Sequence, residues 1–156
     1  MPEAWRVADS EYSATVDDML SGEGAYLCGG RWNSPGFRIV YLGSSLALAA
    51  MELLVHLGRP DIIKRFNKLP VSFNESLVMH INIDDLPSNW ANNTMQSSVQ
   101  DVGNMWAEDK SSLLLEVPSI AVPGDYNYLL NPNHSDLEFL EIGEVTEFEY
   151  DPRIVK

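Results

Sequence analysis

Gly29-Gly30-Arg31-Trp32-Asn33-Ser34-Pro35-Gly36 opens a run that ends at Glu52 and His56, and the fold is read outward from it. Small and turn-forming residues surround a single guanidinium, so the backbone is free to approach a ligand and Arg31 can present its planar fork without crowding. In outline that is a phosphate-binding arrangement. The apolar run Phe37 to Leu42 reads as a buried strand carrying Tyr41, and alanines and leucines from about Ser45 to Leu57 read as a helix closed by Gly58 and Pro60. Loop, strand and helix together deliver Arg31, Tyr41 and Glu52.

On that helix Leu46, Ala50, Leu53, Leu54 and Leu57 fall at the spacing of one buried face, with Ser45, Ala49, Glu52 and His56 on a stripe beside it. Upstream, residues 1 to 20 read as a short strand and then a helix, and Ser21-Gly22-Glu23-Gly24 as a turn. Downstream, a polar connection without period leads to an alternating strand, Leu77 to Ile83, with Leu77, Met79, Ile81 and Ile83 on one side. A helix follows from about Thr94 to Glu108, bearing Val99, Val102, Met105 and Trp106, with Gly103 in its middle. Leu113 to Val117 is a strand stopped by Pro118, Tyr126 to Leu130 another, and Leu137 to Ile142 with Val145 to Tyr150 a hairpin around Gly143-Glu144. No repeat, low-complexity tract or linker divides residues 1–156, which read as one domain.

Ten basic against 23 acidic residues leave a net charge of −13, a field that repels nucleic acid and suits a basic partner. It does not exclude a small anion, because one recessed arginine acts locally while the global field is screened. With Cys28 as the only cysteine, neither an internal disulfide nor a cysteine-based zinc cluster is available, which fits a reducing cytoplasm. The start, Met1-Pro2-Glu3-Ala4-Trp5-Arg6, lacks the pattern of an export signal, and nowhere do 18 apolar residues run together as a membrane span requires.

Each candidate residue also has a bland reading. Arg31 grips a pyrophosphate bidentately or pairs with a surface carboxylate; Tyr41 stacks on a heteroaromatic group or fills core. Glu52, isolated in Ala47-Leu48-Ala49-Ala50-Met51-Glu52-Leu53-Leu54, must be partly desolvated or specifically paired. His56, one turn on, faces the same site or bonds to Glu52, and two helical ligands without a third do not make a metal site. Ser119 and Asn131 sit at strand ends, where sites are often built. There is no GxxxxGK[ST] phosphate loop, GxGxxG fingerprint or GxSxG elbow, so the commonest nucleotide and hydrolase readings are out.

Taken jointly, Trp5-Arg6-Val7, GEGAYLCGGRWNSPG from Gly22 to Gly36, Tyr41, ALAAMELLVH from Ala47 to His56, Gly103 with Trp106, EVPS from Glu116 to Ser119, NYLLNPNH from Asn127 to His134, and DPR from Asp151 to Arg153 resemble the RES domain family, the toxins of RES–Xre toxin–antitoxin pairs. The resemblance implies an α+β fold related to ADP-ribosyltransferases, with a central mixed or split β-sheet flanked by helices. It further implies consumption of NAD as substrate in the cytoplasm of the producing cell, with no other cofactor and no metal. A helix-turn-helix Xre-type antitoxin is expected to cover the cleft between Arg31 and Glu52, with no direct part for nucleic acid or membrane. By position the family's arginine, tyrosine and glutamate fall on Arg31, Tyr41 and Glu52, and its serine and asparagine on Ser119 and Asn131; Trp32, Asn33 and His56 are expected to join the NAD contacts.

The residue types suit that chemistry. Breaking the nicotinamide–ribose bond expels a neutral base and leaves an oxocarbenium-like ribose, which a fixed carboxylate, here Glu52, stabilises. Water as acceptor makes a glycohydrolase, phosphate a phosphorylase and a protein side chain an ADP-ribosyltransferase, and the resemblance does not choose among them. The contrasting reading is a non-catalytic acidic module that occupies a basic protein surface.

Overall fold

The computed structural model describes residues 1–92 and 94–155. Among these, eight strands share one sheet: β1 (Glu3–Asp9), β2 (Val40–Gly43), β3 (Phe66–Ser72), β4 (Val78–His80), β5 (Leu114–Pro118), β6 (Tyr126–Leu130), β7 (Glu141–Ile142) and β8 (Thr146–Phe148). Four α-helices accompany them: α1 (Val16–Met19), α2 (Glu23–Cys28), α3 (Leu46–Leu57) and α4 (Ser97–Asp109). The strands run in the order β4-β5-β6-β2-β1-β3-β7, with β8 also on β3, and the β4–β5 pair is parallel while the other pairs are antiparallel. The expected α+β class with a mixed sheet and flanking helices is the one found.

Residues directly opposite one another in paired strands share a face. Trp5, Gly43, Asn127 and Val117 therefore form one row across the sheet, and Tyr41, Leu129 and Leu115 the next row on the same side. That side carries two separate apolar clusters, one under α3 with Val7, Ala49 and Phe66, the other under α4 with Trp32, Val99, Trp106 and Leu129. The opposite side packs Leu42, Leu69, Val71, Phe73 and Leu114 against Met19 and Leu140. The division of the first side leaves a cleft above β2 and β6.

Helix α3 forms as read: the Ser45 side chain accepts from the Leu48 N–H, a cap worth about 1 kcal/mol, and Gly58 ends it at φ +82°, a conformation that favours glycine. It lies tight on β2, since a Cβ on Gly43 would sit 2.5 Å from the Ala49 nitrogen. Its buried residues are Leu48 and Ala49, with Leu46, Leu53 and Leu57 packed beside them, so the buried face is rotated toward the expected second stripe. On the other face of the sheet, half-buried Arg6 donates from Nε to the Met19 carbonyl at 3.2 Å, tying α1 to β1.

Three expectations are corrected. The connection after α3 contains β3, which pairs with β1 over its whole length; Pro70 interrupts the Phe66-Asn67-Lys68-Leu69-Pro70-Val71-Ser72 pattern, yet its carbonyl accepts from Gly143 at 2.9 Å. Leu77 to Ile83 is strand over Val78–His80 alone, and Met79 and Ile83 are exposed, because an edge strand bounded by two 3₁₀ turns has only one neighbour to pack on. The C-terminal strands do not pair as a hairpin: β7 and β8 each add to β3.

At the β4 edge His80 bridges two carboxylates, Nδ1 to Glu116 and Nε2 to Glu75, each at 3.0 Å. The hydrogen bond to Glu116 holds the His80 pKa above its ordinary value, and burial together with Glu116 pushes the Tyr128 hydroxyl up to about 12. A raised pKa contributes stability in full below the unfolded value and loses it as pH climbs through the folded one. The melting temperature should thus fall modestly as pH climbs above the ordinary histidine range, and His80→Gln should flatten that part of the profile. An equal slope in the variant would assign the fall to other groups.

Candidate functional site

The Arg31 loop is held from beneath by buried polar groups. The Gly30 N–H donates to the Asn33 carbonyl at 2.9 Å, closing a tight turn with Arg31 at its tip. Asn33 is fully buried: its Nδ2 donates to the carbonyls of Ala25 and Ser34 at 3.0 Å and of Phe37 at 3.2 Å. Its Oδ1 accepts from the Tyr41 hydroxyl at 2.5 Å, and that hydroxyl accepts from the Trp32 N–H at 3.1 Å. From α4, Gln100 Nε2 donates to the Gly30 and Asn33 carbonyls at 2.9 and 3.1 Å. Asn104 bonds the Ser34 N–H and hydroxyl at 2.9 Å each. Gly103 faces the loop so closely that a Cβ there would stand 1.8 Å from the Trp32 carbonyl oxygen.

So supported, Arg31 reaches across to the loop preceding α4 and donates from Nη1 to the carbonyls of Asn92 at 2.8 Å and Trp90 at 3.3 Å. Both acceptors are neutral, and among the described residues no carboxylate lies within 4 Å of the guanidinium. Partial burial lowers the Arg31 pKa, and the negative charge of Glu52 opposes that shift. The arginine is thereby oriented without being neutralised. Burial pushes the Tyr41 hydroxyl well above its usual range, so it acts as a neutral donor to Asn33.

Glu52 faces this cleft from the second turn of α3. Its Oε1 accepts from the Ser119 hydroxyl at 2.5 Å and from Asn127 Nδ2 at 3.0 Å. Ser119 is itself buried and pinned, accepting from the Val122 N–H at 3.0 Å and donating its own N–H to the Asp125 carbonyl at 2.9 Å. Two donors on one oxygen fix the carboxylate plane and leave Oε2 open to a ligand.

Arg31, Tyr41, Glu52 and Ser119 are therefore brought together around the cleft, and Trp32, Asn33, Asn131 and His56 are placed otherwise. Trp32 and Asn33 are 3% and 0% exposed and act inside the protein, where they shape the Arg31 loop. Asn131 is also buried, with Nδ2 on the Ala107 carbonyl and Oδ1 on the Asn133 N–H, both at 3.0 Å. It stands four residues down the chain from Asn127, a separation of about 13 Å along an extended strand, and its hydrogen bonds go to Ala107 and Asn133 rather than to Glu52. His56 is exposed on α3, and its side chain bonds to no other side chain or backbone group among the described residues.

A RES domain model matches residues 3–151. The chain belongs to the RES domain family. It is 37% identical to Toxin Res of Yersinia enterocolitica over 96% of this chain and 97% of that one. It is 34% identical to the Prs ADP-ribosylating toxin of a Sphingobium strain over 97% and 96% of the two chains. Among solved structures it resembles the MbcT–MbcA toxin–antitoxin complex of M. tuberculosis, with a TM-score of 0.75 over 98% of this chain and 86% of that chain; at 20% identity the likeness is one of fold.

The residue of this RES domain that sequence reasoning missed is Asn127. It lies in the quoted segment Asn127 to His134, but spacing alone did not distinguish it from Asn131; only the pairing of Asn127 with Gly43 puts it under α3. Because Glu52 can only accept, Asn127 must turn its Nδ2 toward the carboxylate, and its Oδ1 is then buried without a partner. An orphaned buried carbonyl costs stability, so what Asn127 contributes here is the bond that its Nδ2 gives Glu52. Asn127→Leu, which removes the orphan, should leave the melting temperature unchanged or raised. Any activity that depends on Glu52 should drop about tenfold or more as the carboxylate loses a charge-assisted bond. A lower melting temperature with that activity intact would show Asn127 to be structural.

Among the described residues, no group of three His, Cys, Asp or Glu is arranged to hold a metal ion, and no helix is long and apolar enough to cross a membrane.

Proposed function

We propose that this RES domain is a bacterial toxin that degrades NAD by breaking the bond between nicotinamide and ribose. The observation that carries the reading is an arginine held by neutral carbonyls across a cleft from a carboxylate with one oxygen committed and one open. An un-neutralised guanidinium suits a pyrophosphate, and an oriented carboxylate suits a ribose hydroxyl next to a developing positive charge.

In this mechanism Arg31 clamps the pyrophosphate through its remaining N–H groups and Glu52 Oε2 accepts from a hydroxyl of the nicotinamide ribose. As the C–N bond lengthens, its electron pair leaves with neutral nicotinamide, and the carboxylate opposes the charge building on the ribose. Tyr41 serves by holding the loop that carries Arg31, with its ring on the cleft side of the sheet. Ser119 and Asn127 keep Glu52 in register, since an error of about 1 Å in such a site costs on the order of 100-fold. Water or inorganic phosphate then takes the ribose, giving a glycohydrolase or a phosphorylase.

Transfer of ADP-ribose to a protein is the second reading, favoured by the name of the Sphingobium relative. Purified protein incubated with NAD, with and without phosphate, should release nicotinamide, and chromatography of the ribose-containing product names the acceptor. No free product alongside label moving from NAD onto protein in a lysate would favour transfer; no nicotinamide under any condition sinks both. We also assign to this toxin a cytoplasmic site of action and a cognate Xre-type antitoxin that covers the Arg31–Glu52 cleft, in line with the complex its fold resembles and with the net charge of −13, which suits a basic partner.

A further inference from the structure

A cavity of about 420 Å³ opens beside the Glu52 cluster, lined by Ile83, Trp90, Pro118, Ser119, Asp125 and Tyr126 among others. It shares a wall with each charged group of the cleft: Ser119 lines the cavity and donates to Glu52, and Trp90 lines it while its carbonyl accepts from Arg31. Two of its side chains are aromatic and neither stacks on another ring of the protein; Tyr126 is 40% exposed although Tyr128, Leu129 and Leu130 of the same strand are buried. Asp125 is exposed and has no cation within 4 Å among the described residues.

We propose that this cavity is the subsite for the adenosine half of the dinucleotide, and that Asp125 makes the site prefer NAD to NADP. The assignment rests on the NAD reading of the cleft. With one ribose at Glu52 and the pyrophosphate at Arg31, the second nucleoside continues past Arg31, and the anchoring of Arg31 on the Trp90 carbonyl sets that continuation beside the Trp90 wall. A purine offers a flat π-face to the Trp90 or Tyr126 ring, contact that depends on shape and burial. A carboxylate at the rim accepts hydrogen bonds from the adenosine ribose hydroxyls and repels a phosphate on the 2′ position. The net charge of −13 adds to that repulsion only as a screened background, so the discrimination belongs to Asp125.

The test uses the whole protein and two readouts: kcat/KM for NAD and NADP by nicotinamide release, and calorimetric titration with ADP and with nicotinamide. The wild type should favour NAD at least tenfold, and Asp125→Asn should narrow that ratio at least fivefold. Tyr126→Ala, at an exposed position, should weaken ADP binding about tenfold while nicotinamide binding stays as it was; a thermal melt confirms that each variant folds. Loss of nicotinamide binding in place of ADP binding would give the cavity to the other base and overturn the assignment, as would an unchanged ratio and unchanged ADP affinity in both folded variants. If the wild type releases no nicotinamide from either dinucleotide, the NAD reading fails, and the ADP titrations alone still decide whether the cavity takes adenosine.

Discussion

Glu52→Gln should lower nicotinamide release from NAD by about 100- to 1,000-fold and relieve growth inhibition on expression, while the melting temperature moves by no more than about 3 °C. The amide is nearly isosteric, and its carbonyl can take the place of Oε1 as acceptor for Ser119 and Asn127. That orientation puts an NH₂ group where Oε2 stood, so a donor meets the ribose hydroxyl and the negative charge opposite the forming oxocarbenium is gone. The fold has little reason to respond and the chemistry has every reason to. A non-catalytic acidic module predicts the reverse: one charge removed from a chain of −13, in a cleft already occupied by its own hydrogen bonds, leaves binding to a basic surface nearly intact. Toxicity persisting in a folded Glu52→Gln protein would overturn the mechanism.

Gly103→Ala should abolish activity and lower the melting temperature by several degrees, corresponding to about 1–3 kcal/mol of overpacking. In an isolated helix the change would stabilise by up to about 1 kcal/mol. Here the added methyl meets the Trp32 carbonyl oxygen at 1.8 Å, and backbone cannot rotate away as a side chain does. Either α4 lifts off or the Arg31 loop shifts, and Gln100 and Asn104, which hold that loop from the same helix, are displaced with it. Gly24 is the internal control: it lies in α2 with nothing within 4 Å of the place a methyl would take, so Gly24→Ala should be neutral or stabilising with activity retained. Unchanged activity and stability in Gly103→Ala would mean that α4 does not set the position of the loop.

The elements legible in advance were those whose signals are local. Helix α3 declares itself through the Ser45 cap, twelve residues without a breaker and Gly58 at its end, and β5 and β6 are apolar runs bounded by proline or turns. Strand β3 was hidden because Lys68 and Pro70 occupy one face of its alternation, and a proline reads as a stop until the strands on either side of it are known. The C-terminal strands were found but mispaired, since two strands either side of a glycine look alike whether they bond each other or a third.

Chemistry divides the same way. The amino-acid sequence by itself determined the residue types of the cleft, the one-helix placement of Glu52 in apolar surroundings and the glycine-framed arginine, because composition and spacing along a chain are local quantities. Only the tertiary structure decided that Arg31 rests on neutral carbonyls, that Trp32 and Asn33 build the loop from inside, and that Asn127 rather than Asn131 orients Glu52. Those are matters of strand register and of contacts across tens of residues, from Arg31 to Asn92 and from Glu52 to Asn127, which local patterning cannot encode because the free energy that selects them comes from burying whole faces together.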